Sequence, residues 1–145
     1  MIRLAAFALI AVAAPLHARD SLGVFGDWGA FRDEHRNQAG PRCYAIAMPA
    51  PSRLQRDHEP YATIATWPRR AIRGQVHFRL SREVRNAAAI TLQMNGKSFT
   101  LTGGAANAWA RDRAMDAAIV AAMRSASRMT VSSVDRSGRR FSNTY

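Results

Sequence analysis

Between Gln75 and Leu80 the chain alternates cleanly. Val76, Phe78 and Leu80 fall on one face, His77 and Arg79 on the other. That two-residue period predicts a strand with one face toward a core. The period returns at Ile90, Leu92 and Met94, and Phe99 and Leu101 can join that face across a hairpin. Asn95-Gly96 lies between the two runs. This pair favours positive φ at both central positions of a type I′ turn, which matches the twist of paired strands. Gly103-Gly104 ends the second run. Looser strand patterns cover residues 24–31, which include Trp28, then 42–48 and 61–67. Pro49 and Pro51 stop the second of these and Pro68 the third, because proline cannot donate to a ladder. Residues 32–41 and the proline-rich 49–60 read as connections.

The period changes over residues 112–126. Met115, Ile119 and Met123 recur at four-residue spacing with alanine between them, the mark of a helix with one apolar face. Asp112 can cap its start, and Arg124 and Arg128 sit near its end, where the helix dipole favours cations. The methionine stripe reads as core. Residues 129–134 return to strand, Asp135-Arg136-Ser137-Gly138 is a turn, and 139–145 begin a last strand. The sum is a mainly β fold. About eight short antiparallel strands and one helix predict a β-sandwich, with the helix across a sheet edge or end.

The first eighteen residues follow a different logic. Arg3 supplies a positive start, residues 4–15 carry no charge, and Leu16-His17-Ala18 offers a small residue for cleavage. This is the pattern of a secretory signal peptide cut after Ala18. The apolar run is shorter than the roughly 20 residues that a spanning helix needs. Residues 19–145 then form a single domain, placed in the periplasm or outside the cell. That space is oxidising and poor in ATP and NAD, which argues against kinases and dehydrogenases.

At 145 residues there is room for one domain with a real core. The net charge of +11 creates an attractive field toward phosphate, lipid headgroups and acidic polysaccharide. Lys97 is the only lysine among 21 basic residues, and alanine is abundant. Part of the charge therefore reflects a GC-rich coding sequence. The single cysteine, Cys43, excludes a disulfide-stapled mini-fold and a cysteine-rich metal site.

The order of landmarks carries a family resemblance. They are Phe25-Gly26-Asp27-Trp28, Arg42-Cys43-Tyr44, residues 90–101 around Asn95-Gly96, residues 118–124 leading to Met129-Thr130-Val131, and residues 138–145. Together they resemble the invasion-associated locus B family of exported bacterial proteins. The resemblance implies an immunoglobulin-like β-sandwich acting at the cell envelope or on host contact, through an envelope or host protein. It supplies no catalytic residue to carry over. Members usually run past the position of Tyr145, so a shortened last strand and an exposed sheet edge are implied here. Many members also have a second cysteine, so their disulfide is not expected.

Catalytic chemistry is sparse. There is no G-x-S-x-G elbow, no phosphate loop and no pair of histidines at zinc-helix spacing. Asp57-His58-Glu59 are adjacent, and adjacent side chains diverge, so no metal is expected there and no cofactor elsewhere. His77 reads as a surface residue, with a pH-sensitive contact as the alternative. Cys43 reads as an unpaired thiol that can bridge two chains in an oxidising space. The basic clusters are Arg69-Arg70-Arg73, Arg79-Arg82-Arg85 and Arg136-Arg139-Arg140. Trp67 precedes the first, and an aromatic beside cations can grip an anionic glycan, lipid headgroup or nucleic acid. Trp28 and Trp109 read as core or edge residues. A non-catalytic interaction protein is the expectation, with an arginine-rich binding module for anionic surfaces as the alternative.

Overall fold

Val76, Phe78 and Leu80, the alternating face read from the sequence, are at 0% exposure. The computed structural model describes residues 19–34 and 40–145; the leader pattern at 1–18 and His35 lie outside the described residues. The described chain is mainly β. Its strands are β1 (Asp20–Phe25), β2 (Trp28–Asp33), β3 (Arg42–Ala47), β4 (Tyr61–Trp67), β5 (Ile72–Arg79), β6 (Ile90–Met94), β7 (Lys97–Gly104) and β8 (Asn107–Trp109). Helix α1 (Arg113–Met123) follows, then β9 (Thr130–Val134) and β10 (Arg140–Thr144). No helix among the described residues is long and apolar enough to cross a membrane.

All ten strands join one antiparallel sheet in the order β1-β2-β3-β4-β5-β8-β7-β6-β9-β10. The sheet turns over on itself. Ala62, Val76 and Phe78 from its middle share one core with Leu92, Val131 and Phe141 from its far end. The rings of Phe78 and Tyr145 lie 6.0 Å apart, and the Ser81 N–H donates to Asn143 Oδ1 at 3.0 Å. The result fits the layered packing expected of a sandwich, with β7 shared between layers. Its first half pairs with β6 and its last three residues with β8. Gly103 lies in that second stretch, where a Cβ would run into the Asn107 carbonyl. Only glycine lets the two backbones approach so closely.

Among the described residues ten strands form rather than about eight, for two local reasons. Residues 24–31 are a hairpin, not one strand: Phe25 pairs with Trp28, and Gly26 turns the chain at φ +60°. Gly-Asp between two strand patterns is a legitimate two-residue hairpin signal. The short β8 follows a turn through Ala105, at φ +48°. Alanine gives no sequence signal for such a turn. At Asn95-Gly96 both residues have positive φ, as the expected type I′ turn requires.

Helix α1 stands where β8 stops. β8 pairs with β5 only along His77–Arg79, leaving the earlier part of that β5 edge without a strand. There the Val76 N–H donates to Asp116 Oδ1 at 2.8 Å, so a helix carboxylate replaces a missing strand carbonyl. Asp112 caps the helix by accepting from the Met115 N–H at 2.8 Å. The helix ends at Met123 rather than 126. Ile119 is fully buried, and Met115 and Met123 pack partly buried against the core.

Burial raises the Asp116 pKa, the Val76 N–H opposes that rise, and the nearby Asp112 charge adds to it. Asp116→Ala leaves the Val76 N–H buried without an acceptor, a loss of about 1–3 kcal/mol. The expected outcome in urea is a lower midpoint with an unchanged slope. Asp116→Asn keeps an acceptor and should lose less.

Candidate binding groove on the open face of the sheet

Strand alternation that buries Val76 and Phe78 turns the neighbouring side chains outward. Along β3 these are Arg42, Tyr44 and Ile46; along β4, Tyr61, Thr63, Ala65 and Trp67. β5 adds Gln75 and His77, and β8 adds Trp109. With Arg19 they line an open groove of about 510 Å³. Its shape follows from residue size and register. Thr63 sits between Ile46 and His77, and Ala65 between Tyr44 and Gln75. The small side chains of β4 form a floor, and the larger ones of β3 and β5 rise beside it. Tyr61 and Trp67 stand at the two ends of β4.

The rings are arranged rather than scattered. His77 stacks on Trp109 at 5.0 Å and 30°, and meets Tyr61 edge-on at 5.8 Å and 65°. Across the groove Phe31 stacks on Tyr44 at 5.6 Å. The Arg42 guanidinium lies over the Tyr44 ring at 4.7 Å, with Arg19 at 5.6 Å. Asp33 orients both cations: Arg42 Nε and Nη2 donate to Oδ2 at 3.0 and 2.8 Å, and Arg19 Nε donates to Oδ1 at 3.1 Å. Burial pushes the Asp33 carboxyl up, but the Arg42 hydrogen bond and charge, joined by Arg19, hold it below its usual range. Burial, reinforced by the Asp33 charge, raises the Tyr44 pKa and keeps its hydroxyl protonated.

His77 is the imidazole among the rings of the groove. Burial lowers its pKa, the hydrogen bond to Asn107 opposes that fall, and the Arg79 charge adds to it. Its Nε2–H donates to Asn107 Oδ1 at 3.0 Å, which leaves Nδ1 as an acceptor in the neutral ring. The histidine expected at the surface is a half-buried member of an aromatic cluster.

The arginine clusters do not converge on one site. Arg69 and Arg70 form the turn after Trp67, and Arg73 is exposed near the start of β5. Arg136, Arg139 and Arg140 lie at the β9–β10 turn, toward the opposite end of the β4–β5 hairpin. Of these, Trp67 alone lines the groove. Arg136 pairs with Glu83 at 2.9 Å and Arg139 with Asp135 at 3.5 Å. From the middle cluster, Arg82 is buried, donating to Asp135 Oδ2 at 2.9 Å and to the Gln55 carbonyl at 2.8 Å. Cys43 is an exposed free thiol on the face of β3 opposite Tyr44. Among the described residues, no three His, Cys, Asp or Glu side chains come together to hold a metal ion.

Trp109, read as a core or edge residue, stands at the end of β8. It is 37% exposed, stacked on His77, while its neighbour Ala108 is at 0%. Asn107-Ala108-Trp109 is itself an alternating triplet, so a signal existed, but it was too short to separate from the turn before it. Trp28 does pack against the core.

Two pH responses follow. The His77 ring should titrate with a midpoint below 6.5, followed by its C2 proton in NMR, with Trp109 fluorescence changing in step. A lowered histidine pKa favours the uncharged folded form, so stability falls as pH drops below 6.5 and levels off below the folded midpoint. Asp135 behaves as a lowered carboxylate. The Ser137 hydroxyl, opposed by burial and helped by the Arg139 and Ser137 N–H groups, holds it at about 2. Its stabilisation is complete above the unfolded value near 3.8 and is lost as pH falls toward 2. Asp135→Asn should flatten that part of the acid unfolding curve.

A scan against family models, a search of curated proteins and a search of solved structures each returned no match, so the groove's own geometry carries the functional reading.

Proposed function

We propose that this protein is an exported, non-catalytic binding protein that works through the open face of its sheet. The observation that carries the reading is the outward display of Tyr44, Tyr61, Trp67, His77 and Trp109 around a floor of Thr63 and Ala65. Aromatic residues normally contribute their area to a core or an interface. Here they stand on the outer face, with Tyr44 under the Arg19 and Arg42 guanidinium groups, where a partner's apolar faces can rest. The leader pattern and the resemblance to the invasion-associated locus B family support placing the action at the envelope or on a host surface.

The alternative is a surface binder driven by Arg69, Arg70 and Arg73, which are exposed beside the Trp67 end of the groove. Salt separates the two. Binding of labelled protein to envelope preparations is measured at 0.15 M and 1 M sodium chloride. Groove binding should largely persist at 1 M and drop at least tenfold in Trp67→Ala/Trp109→Ala. Steep loss with salt, together with loss in Arg69→Glu/Arg70→Glu, would establish the electrostatic alternative. Cys43 lies on the other face, so a disulfide dimer would leave both grooves open. Non-reducing electrophoresis of the native protein, against Cys43→Ser, tests that arrangement.

A further inference from the structure

We propose that the groove receives an acidic oligosaccharide, with sugar rings resting on Trp67 and Trp109 and a carboxylate held by Arg19 and Arg42. The inference deepens the binding reading above and rests on it.

Three features select this ligand class. The first is length. The floor strand β4 has 7 residues, which span about 20 Å at the extended rise per residue. Trp67 lies at one end, and the Tyr61, His77 and Trp109 cluster at the other. An extended chain of rings can therefore meet an aromatic surface at both ends. The second is polarity. Between Trp67 and that cluster lie Thr63 and Gln75, uncharged side chains able to exchange hydrogen bonds with hydroxyls.

The third is the distribution of charge. At the Trp67 end Arg19 and Arg42 are both held by Asp33, so a carboxylate arriving there meets two guanidinium groups already oriented. Arg42 commits Nε and Nη2 to Asp33, and Arg19 commits only Nε. The remaining guanidinium N–H groups are available for one carboxylate. Arg79 is the cation near His77 at the other end. A nucleic-acid strand carries a phosphate at every step and is usually tracked by cations along its whole path. The neutral middle of this groove does not match that spacing, whereas a chain of hydroxylated rings does.

The test uses protein purified from cells expressing the full chain, titrated by calorimetry and tryptophan fluorescence at 0.15 M salt. The probes are a galacturonic acid hexamer, a neutral galactose hexamer and a six-nucleotide oligothymidylate. The galacturonate hexamer should bind and change the tryptophan emission. Trp109→Ala should weaken it at least tenfold, and Trp109→Phe should restore much of the loss. Arg19→Gln should weaken the galacturonate hexamer severalfold, and by a larger factor than it weakens the neutral hexamer. Arg19 is exposed, and Asp33 keeps Arg42, so this variant should fold; its thermal melt checks that.

Tighter binding of the oligothymidylate would overturn the saccharide assignment and leave the groove reading standing. Failure of a folded protein to bind either hexamer at millimolar concentration would overturn the saccharide assignment alone. Galacturonate binding that survives Trp67→Ala/Trp109→Ala would place the ligand elsewhere and overturn both readings.

Discussion

Strand β5 cannot bury one set of side chains without presenting the other. Val76, Phe78 and Leu80 fill the centre of the core, so Gln75, His77 and Arg79 must face outward. A slip of one residue would exchange the two faces and expose three large apolar groups. The neighbours inherit this constraint through pairing: Thr63 opposite His77, Ile46 opposite Thr63, and Trp109 on the far side. The groove is thus held in place by the burial of residues that take no part in it.

The same strand is completed by unlike partners on its two edges. β4 pairs along nearly its whole length, while the other edge is divided between β8 and α1. Ending β8 after Trp109 leaves the tryptophan at a sheet margin, partly exposed and stacked on one ring. Asp116 then satisfies the backbone donor beyond it. The burial that raises the Asp116 pKa accompanies this substitution of a carboxylate for a strand carbonyl.

Arginine has at least three physical roles here. Arg82 is buried against Asp135 and ties residues 55 and 82 to the β9–β10 turn. Arg19 and Arg42 are held by Asp33 against the aromatic wall of the groove. Arg69, Arg70 and Arg73 remain exposed at a hairpin. A net charge read from composition averages over these environments, and only the placement of the acidic residues separates them.

The residues themselves determined the mainly β class, the inward face of β5, the Asn95-Gly96 turn and the Asp112 cap. Each depends on neighbours close in the chain: a period of two, a pair of permissive residues, or a side chain reaching three residues ahead. The hairpin at Gly26-Asp27 was legible in principle, whereas the turn into β8 through Ala105 was not. The groove belonged to tertiary structure. Tyr44, Trp67, His77 and Trp109 come from four strands, and no local pattern encodes how those strands are ordered across the sheet. Alternation told which side of its own strand His77 would take; only the pairing of β4, β5 and β8 decided that Tyr61 and Trp109 would meet it there.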